Sequence, residues 1–152
     1  GNIYRPLGFG AITTDGSSNF NDRLGYIYNN MTRLIEKCKP DAMAVEKLYF
    51  QNNQKTAINV AQARGVILLA AQQQGVPIFE YTPLQVKTVV KQAVVGYGLA
   101  EKKQIISMVT NILELKKPPK PDDTADALAI ALCHIQARGT ALRKIITKGR
   151  YS

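Results

Sequence analysis

The chain has 152 residues, of which 45% are hydrophobic, and its formal net charge at pH 7 is +9. This length suits one globular domain with its own core, and the absence of any run of about 18 apolar residues argues against a membrane-spanning helix. Residues 1–6 lack the apolar segment of a secretory signal, and Cys38 and Cys133 match neither a disulfide framework nor a metal-binding spacing. We therefore expect a cytoplasmic protein.

The predicted elements alternate between strands and helices along the chain. They are strands over 7–14, 42–45 and 76–81, helices over 22–38, 56–74 and 82–95, a helix carrying Ile105 to Leu113, and a helix that starts after Asp122. Thr82 and Gln85 have the spacing of a capping box. Such alternation predicts an α/β fold with a largely parallel sheet and right-handed crossovers. We assign residues 1–137 to a single domain and residues 138–152 to a basic tail that is mobile without a partner.

The positive charge is distributed unevenly. Residues 87–120 carry seven lysines against two glutamates, and residues 138–152 carry five basic residues and no acid. Residues 121–137, which lie between these stretches, carry three aspartates and no base. Basic stretches suit a polyanionic partner, most often nucleic acid, and an acidic island between them suits a metal site that acts on a phosphate backbone.

The acidic island opens an apolar helix. Residues 116–121 contain three prolines and cannot continue a helix, so Asp122 is suited to the N-cap. Asp123 and Asp126 are three residues apart and leave the same face of the first turn. They are either ligands of a hard divalent cation or an acidic turn that only caps the helix. His134, two turns further on, fits packing or solvent exposure better than metal binding.

Glu46 directly follows the short apolar strand over 42–45. Ligands of open α/β sheets bind beyond the carboxyl ends of the strands, so Glu46 is a functional candidate. If it lies beside Asp123 and Asp126, the three carboxylates require a cation, because like charges in close proximity raise one another's pKa. Oxygen ligands of this kind suit Mg²⁺ or Mn²⁺, and two such ions per site can cleave a phosphodiester.

Five blocks of sequence follow one another in a characteristic order. They are Ala-Val-Glu-Lys-Leu-Tyr-Phe at 44–50, Gln-Ala-Arg-Gly-Val at 62–66, Thr-Pro-Leu-Gln-Val-Lys at 82–87, Val-Val-Gly-Tyr-Gly-Leu-Ala-Glu-Lys-Lys-Gln at 94–104 and Pro-Asp-Asp-Thr-Ala-Asp-Ala-Leu-Ala at 121–129. In this order they resemble the RuvC family of bacterial Holliday-junction resolvases, over residues 7 to about 137. The resemblance implies a homodimeric endonuclease with a ribonuclease-H-like fold, a mixed sheet flanked by helices on both faces.

The resemblance also implies roles for individual residues. Glu46, Asp123 and Asp126 match metal ligands, and Lys102 matches a lysine beside the scissile phosphate. Tyr49 matches an aromatic residue that inserts at the junction centre. The remaining candidates are Phe50 as a second stacking residue, Lys103 as a backbone contact, Lys87 or Lys91 as a further active-site lysine, and Arg64 as either a functional or a structural residue. Lys87 and Lys91 lie one helical turn apart, and the sequence does not distinguish between them.

One part of the family's pattern has no counterpart in residues 1–152. The family begins with a strand of the type Ile-Leu-Gly-Ile-Asp-Pro-Gly, whose Asp is the first metal ligand, whereas residues 2–14 match the family's third strand. We expect an Asp directly after an apolar strand upstream of Gly1 in the natural protein. If it is truly absent, activity is in doubt for this exact chain.

These observations predict a metal-dependent Holliday-junction resolvase that nicks four-way DNA junctions in symmetric pairs during recombination and repair. The expected partners are junction DNA, a second copy of the chain and, by resemblance, branch-migration motor proteins, with no membrane. Two alternatives stay open. One is a catalytically inactive junction-binding protein, and the other is a ribonuclease-H-like nuclease of other nucleic-acid structures. The sequence leaves open the cleavage-site preference, the metal used in the cell and the organism.

Overall fold

Residues 3–47, 54–93 and 102–149 are described by the computed structural model, with side chains except at 90–93 and 140–149. The elements in these ranges are α1 (Phe20–Cys38), β1 (Met43–Glu46), α2 (Gln54–Gln73), β2 (Ile78–Tyr81), α3 (Pro83–Ala93), α4 (Lys102–Ile112) and α5 (Asp122–Gly149). Among the described residues, β1 and β2 form one two-stranded parallel sheet, in which Met43 N donates to Pro77 O at 2.8 Å. The chain divides into two compact units, residues 11–80 and residues 81–152 with 1–10.

The first unit, residues 11–80, is built on the contact between α1 and α2. Helix α1 begins where the side chain of Asn19 accepts a hydrogen bond from Asn21 N, and it ends at Lys39, which has a positive φ of 44° and precedes Pro40. The core of the unit is formed by one cluster of apolar side chains from both helices and both strands: Ile35, Ala70, Ala71 and Val76, with Tyr28, Met31, Met43 and Ile78 packed against them. This cluster holds the sheet against the two helices.

The second unit packs α3, α4 and α5 against one another. Its centre is Val109 of α4, which is fully buried, and burying such a side chain contributes about 1.5–3 kcal/mol. The capping box at the start of α3 is confirmed, because Thr82 Oγ1 accepts from Gln85 N at 3.1 Å and Gln85 Oε1 accepts from Thr82 N at 2.8 Å. The two bonds satisfy amides that a helix start otherwise leaves unpaired.

The predicted strand over 7–14 is wrong. These residues have no regular secondary structure, and the apolar side chains of Leu7, Phe9 and Ile12 are exposed. A strand needs backbone pairing with a neighbouring strand, and in the described residues neither open edge of the β1–β2 sheet pairs with residues 7–14. The alternation of apolar residues therefore predicted a strand for which the described residues supply no partner.

Three smaller predictions also need correction. The continuously apolar run over 42–45 predicts a buried parallel strand, whereas β1 is half-buried, because the sheet has only one neighbour for it among the described residues. Asp122 is the first helical residue of α5 rather than its N-cap, since Thr124 N donates to Pro121 O at 2.9 Å and starts the helix one residue earlier. The backbone of α5 continues to Gly149, so the tail assigned to residues 138–152 is helical over most of its length; its mobility stays a prediction.

Candidate active site

The start of α5 presents two carboxylates on one face, as their spacing predicts. The side chain of Asp123 is 91% exposed, whereas that of Asp126 is 37% exposed. The partial burial of Asp126 follows from its position one turn further along the helix, next to Ala125 and Ala129, which are buried against the rest of the unit. The pair thus combines one solvent-facing acid with one that lies partly in the protein interior.

Lys102, the first residue of α4, binds both acids. Its Nζ lies 3.7 Å from Asp123 Oδ1 and 3.8 Å from Asp126 Oδ2. The two helices that carry these residues pack directly on each other, which sets the separation between the ammonium group and the carboxylates. Because Lys102 is half-exposed, the ion pairs contribute at most about 1 kcal/mol to stability, and their importance lies in the charge that they gather at one point.

The negative charge of this cluster exceeds the positive charge that Lys102 supplies. Burial raises the pKa of Asp126 above its usual 3.8; the Lys102 ammonium lowers it, and the carboxylates of Asp123 and Asp122 raise it further. The carboxyl group therefore lies where its own negative charge is incompletely compensated. Carboxylate oxygens are the donor type that hard divalent cations prefer, so Asp123 and Asp126 contribute two donors of that type at one point.

Glu46 is the last residue of β1 and is exposed to solvent. Its main-chain oxygen accepts a hydrogen bond from Nε of Arg64 at 3.3 Å. The same guanidinium reaches β2, where its Nη2 lies 3.2 Å from Glu80 Oε1. One arginine from the middle of α2 therefore connects the ends of both strands.

His134 lies in the second unit and is buried, with a relative exposure of 8%. Its Nδ1 is 2.6 Å from Oη of Tyr81, and the two rings meet edge to face with their centroids 5.8 Å apart. Burial lowers the pKa of His134, and the nearby charge of Arg138 lowers it further. The expectation that His134 packs is confirmed by its burial and by its hydrogen bond to Tyr81.

The chain resembles known proteins in both its sequence and its fold. The family model described as "Crossover junction endodeoxyribonuclease RuvC" matches residues 1–134. A RuvC of this name from Ruminiclostridium cellulolyticum is 54% identical over 134 residues, which are 88% of this chain and 78% of that protein. The chain belongs to the RuvC family.

Two solved RuvC structures extend the comparison to the fold. The Thermus thermophilus RuvC structure superposes with a TM-score of 0.76 at 38% identity, covering 90% of this chain and 80% of the other. The T. thermophilus RuvC in complex with a Holliday junction substrate gives a TM-score of 0.74 at 35% identity, with 86% and 78% covered. The predicted α/β class with a ribonuclease-H-like fold is thereby confirmed.

The structure brings together some of the site residues predicted from the RuvC resemblance. Lys102, Asp123 and Asp126 form one cluster in the second unit, whereas Glu46 belongs to the first unit. Within residues 3–47, 54–93 and 102–149, no three His, Cys, Asp or Glu side chains form a group that could hold a metal ion. The convergence of Glu46 with the two aspartates therefore stays a prediction.

The DNA-binding candidates are located less completely. Lys103 is exposed at the second position of α4, and Lys87 is half-buried on α3. Lys91 lies on the same helix, but its side chain is outside the described part of the chain, as are Tyr49 and Phe50 entirely. The choice between Lys87 and Lys91 stays open.

Two contacts near the candidate residues were not predicted from the sequence. One is the bridge from Arg64 to Glu46 and Glu80, and the other is the Tyr81–His134 pair. Glu80 carried a usable signal, since a glutamate inside a short strand is uncommon and indicates that the strand has a charged partner. Nothing local indicated the partner of His134, which is 53 positions away.

Proposed function

We propose that this protein is a Holliday-junction resolvase, a metal-dependent and structure-selective endonuclease that hydrolyses phosphodiester bonds by paired nicks in four-way DNA junctions. The observation that carries the proposal is the cluster of Lys102 with Asp123 and Asp126 in a chain of the RuvC family. It places one ammonium group and two carboxylates at one point, a combination suited to a metal and a phosphate together.

The residues divide into three roles. Glu46, Asp123 and Asp126 would hold Mg²⁺, with Mn²⁺ as a substitute and two ions per site, and the metal would supply the Lewis acidity that phosphodiester hydrolysis requires. Lys102, with Lys87 or Lys91, neutralises the charge that develops on the scissile phosphate. Lys103 contacts the DNA backbone, and Tyr49, assisted by Phe50, stacks on exposed bases at the junction centre, where each stacked base contributes about 1–3 kcal/mol.

The substrate's symmetry supports a dimer. A four-way junction presents two equivalent strands, and a two-fold homodimer presents two active sites to them.

The proposal also includes branch-migration motor proteins as partners and a cytoplasmic location. No helix within the described ranges has both the length and the apolar character needed to cross a membrane.

The proposal is tested by incubating the protein with a labelled four-way junction, with Mg²⁺ and with a chelator. We expect symmetric nicks only with the metal and junction binding in both conditions. Asp126→Asn removes a proposed metal ligand. It should lower the cleavage rate by more than the ~10–100-fold loss that is typical when a residue that only orients a metal ligand is replaced. Asp122→Asn is the matched control, because it removes the same charge from the same helical turn without touching a proposed ligand.

Binding without metal-dependent nicking, in a protein that carries its complete natural N-terminus, would replace the resolvase by a junction-binding protein. Equal cleavage of forks or RNA–DNA hybrids would instead indicate a ribonuclease-H-like nuclease with other substrates.

A further inference from the structure

Arg64 occupies an unusual position relative to the predicted catalytic acid. It projects from α2 to the end of the sheet, where its Nε donates to the main-chain oxygen of Glu46 and its Nη2 pairs with the carboxylate of Glu80. All three residues belong to the first unit, and the Arg64 side chain is only 23% exposed. The guanidinium is therefore held from one side by a carboxylate and from the other by a backbone carbonyl.

We propose that Arg64, oriented by Glu80, is a positioning residue that fixes the end of β1 and thereby aims the Glu46 carboxylate at the metal. The inference rests on the proposed function, because it assumes that Glu46 is a metal ligand. Arg64 touches neither metal nor DNA in this proposal and acts only through Glu46.

The location of the contact explains why a fixed carbonyl matters. Glu46 is the terminal residue of a four-residue strand, so the sheet constrains its backbone less than that of an interior residue. The peptide plane that contains the Glu46 carbonyl also sets the direction in which the chain leaves the strand. Holding this oxygen restrains the main chain of Glu46, and with it the Cα–Cβ bond from which the side chain extends. Metal sites tolerate only about 0.5 Å and 10–20° of error in such directions.

The chemistry of the contact requires arginine. The planar guanidinium can direct one N–H at the Glu46 carbonyl while another faces Glu80, whereas a lysine ammonium is a single point on a flexible stem. At 3.3 Å the bond to Glu46 is long and weak by itself. The Glu80 ion pair restrains the guanidinium so that this weak bond is maintained.

The decisive variant is Arg64→Lys. It keeps the positive charge beside Glu80 but loses the planar guanidinium, which can direct separate N–H groups at Glu46 and Glu80. We expect the Mn²⁺ affinity, measured by calorimetry without DNA, to fall about 10–100-fold, as for other groups that orient metal ligands. Junction cleavage should need a correspondingly higher metal concentration, while junction binding in chelator stays unchanged. Glu80→Gln should produce a smaller change in the same direction.

Arg23→Lys is the matched control, because Arg23 is also a half-buried arginine of the first unit whose Nε donates a hydrogen bond, in its case to Thr14 Oγ1 at 2.9 Å. It should leave Mn²⁺ affinity at the wild-type value. Thermal melts of all variants separate folding from positioning, and if Arg64→Lys does not fold, Glu80→Gln decides by the same metal titration.

The outcomes separate this inference from the proposed function. A wild-type protein that cleaves junctions, beside a folded Arg64→Lys variant with unchanged metal affinity, overturns the positioning role and leaves the resolvase intact. A wild type that binds Mn²⁺ without cleaving removes the resolvase, and the loss of affinity in Arg64→Lys still supports positioning. A wild type that binds no Mn²⁺ at all overturns both.

Discussion

At the scale of single residues, the candidate site contains more negative than positive charge. Asp123 and Asp126 share one ammonium group, that of Lys102, and the pKa of Asp126 is raised by its burial and by its acidic neighbours. An isolated acidic turn that only capped a helix would not need a lysine from another helix. The metal-ligand role of these acids stays a prediction.

The Tyr81–His134 pair provides a residue-scale prediction of stability. Tyr81→Phe removes the hydroxyl that lies 2.6 Å from the buried Nδ1 of His134. Leaving a buried polar group without this bond should lower the free energy of unfolding by about 1–3 kcal/mol, measured by urea denaturation. Tyr28→Phe is the control, since its hydroxyl donates to Gln73 in an exposed contact, and its cost should stay within about 0.5 kcal/mol. Equal costs would contradict the prediction.

The same pair predicts a pH dependence. Because burial lowers the pKa of His134 below the unfolded value of 6.5, the folded state binds this proton less readily than the unfolded state does. The contribution of neutral His134 to stability is complete above pH 6.5 and decreases as the pH falls through 6.5 toward the lower folded pKa. We expect urea midpoints to fall over this interval, and His134→Gln to flatten that part of the curve. An unaltered slope in the variant would assign the dependence to other groups.

At the scale of secondary-structure elements, the candidate site residues lie at element ends. Lys102 opens α4, the aspartates open α5, and Glu46 ends β1. The contact between α4 and α5 brings the first two of these element ends together. The end of a helix or strand is a favourable place for binding residues. Side chains there are accessible to ligands, while the backbone is held in place by the rest of the element.

The capping box of α3 gives an element-scale prediction. Thr82→Ala removes the acceptor for Gln85 N and leaves the reciprocal bond unsupported, so the free energy of unfolding should fall by about 1 kcal/mol. Thr88→Ala is the control within the same helix. Its hydroxyl donates to Leu84 O on an exposed face, and its removal should change stability by less than about 0.5 kcal/mol. Chemical denaturation of both variants checks the difference, and a larger effect at Thr88 would refute it.

At the scale of the whole molecule, the net charge of +9 should govern the binding of DNA. The logarithm of the binding constant for a four-way junction should fall linearly with the logarithm of salt concentration, by about 0.9 for each phosphate contact. Replacing Arg143, Lys144 and Lys148 by alanine removes three charges from the end of the chain and should reduce this slope by up to about 2.7. Fluorescence anisotropy in chelator measures the slope, and an unchanged value would exclude these three side chains from contact with DNA phosphates.

The sequence by itself determined where the helices lie, to within a few residues at their ends, and the identities of the acidic candidates. Helical periodicity, prolines and capping residues act over a few positions, so α1, α2 and the Thr82–Gln85 box were all predictable. The family resemblance added Lys102, which has no local signature, and the comparisons confirmed that family. The strand over 7–14 failed for the complementary reason, since alternation predicts an exposed or buried face but cannot supply a pairing partner.

Only the tertiary structure decided which side chains meet. Lys102 with the aspartates, Arg64 with Glu46 and Glu80, and Tyr81 with His134 all join residues distant along the chain. Their pairing depends on how helices and strands pack, and packing depends on the shape and volume of the whole core rather than on any local pattern. The same packing half-buries Asp126 and raises its pKa, a property that no stretch of sequence encodes alone.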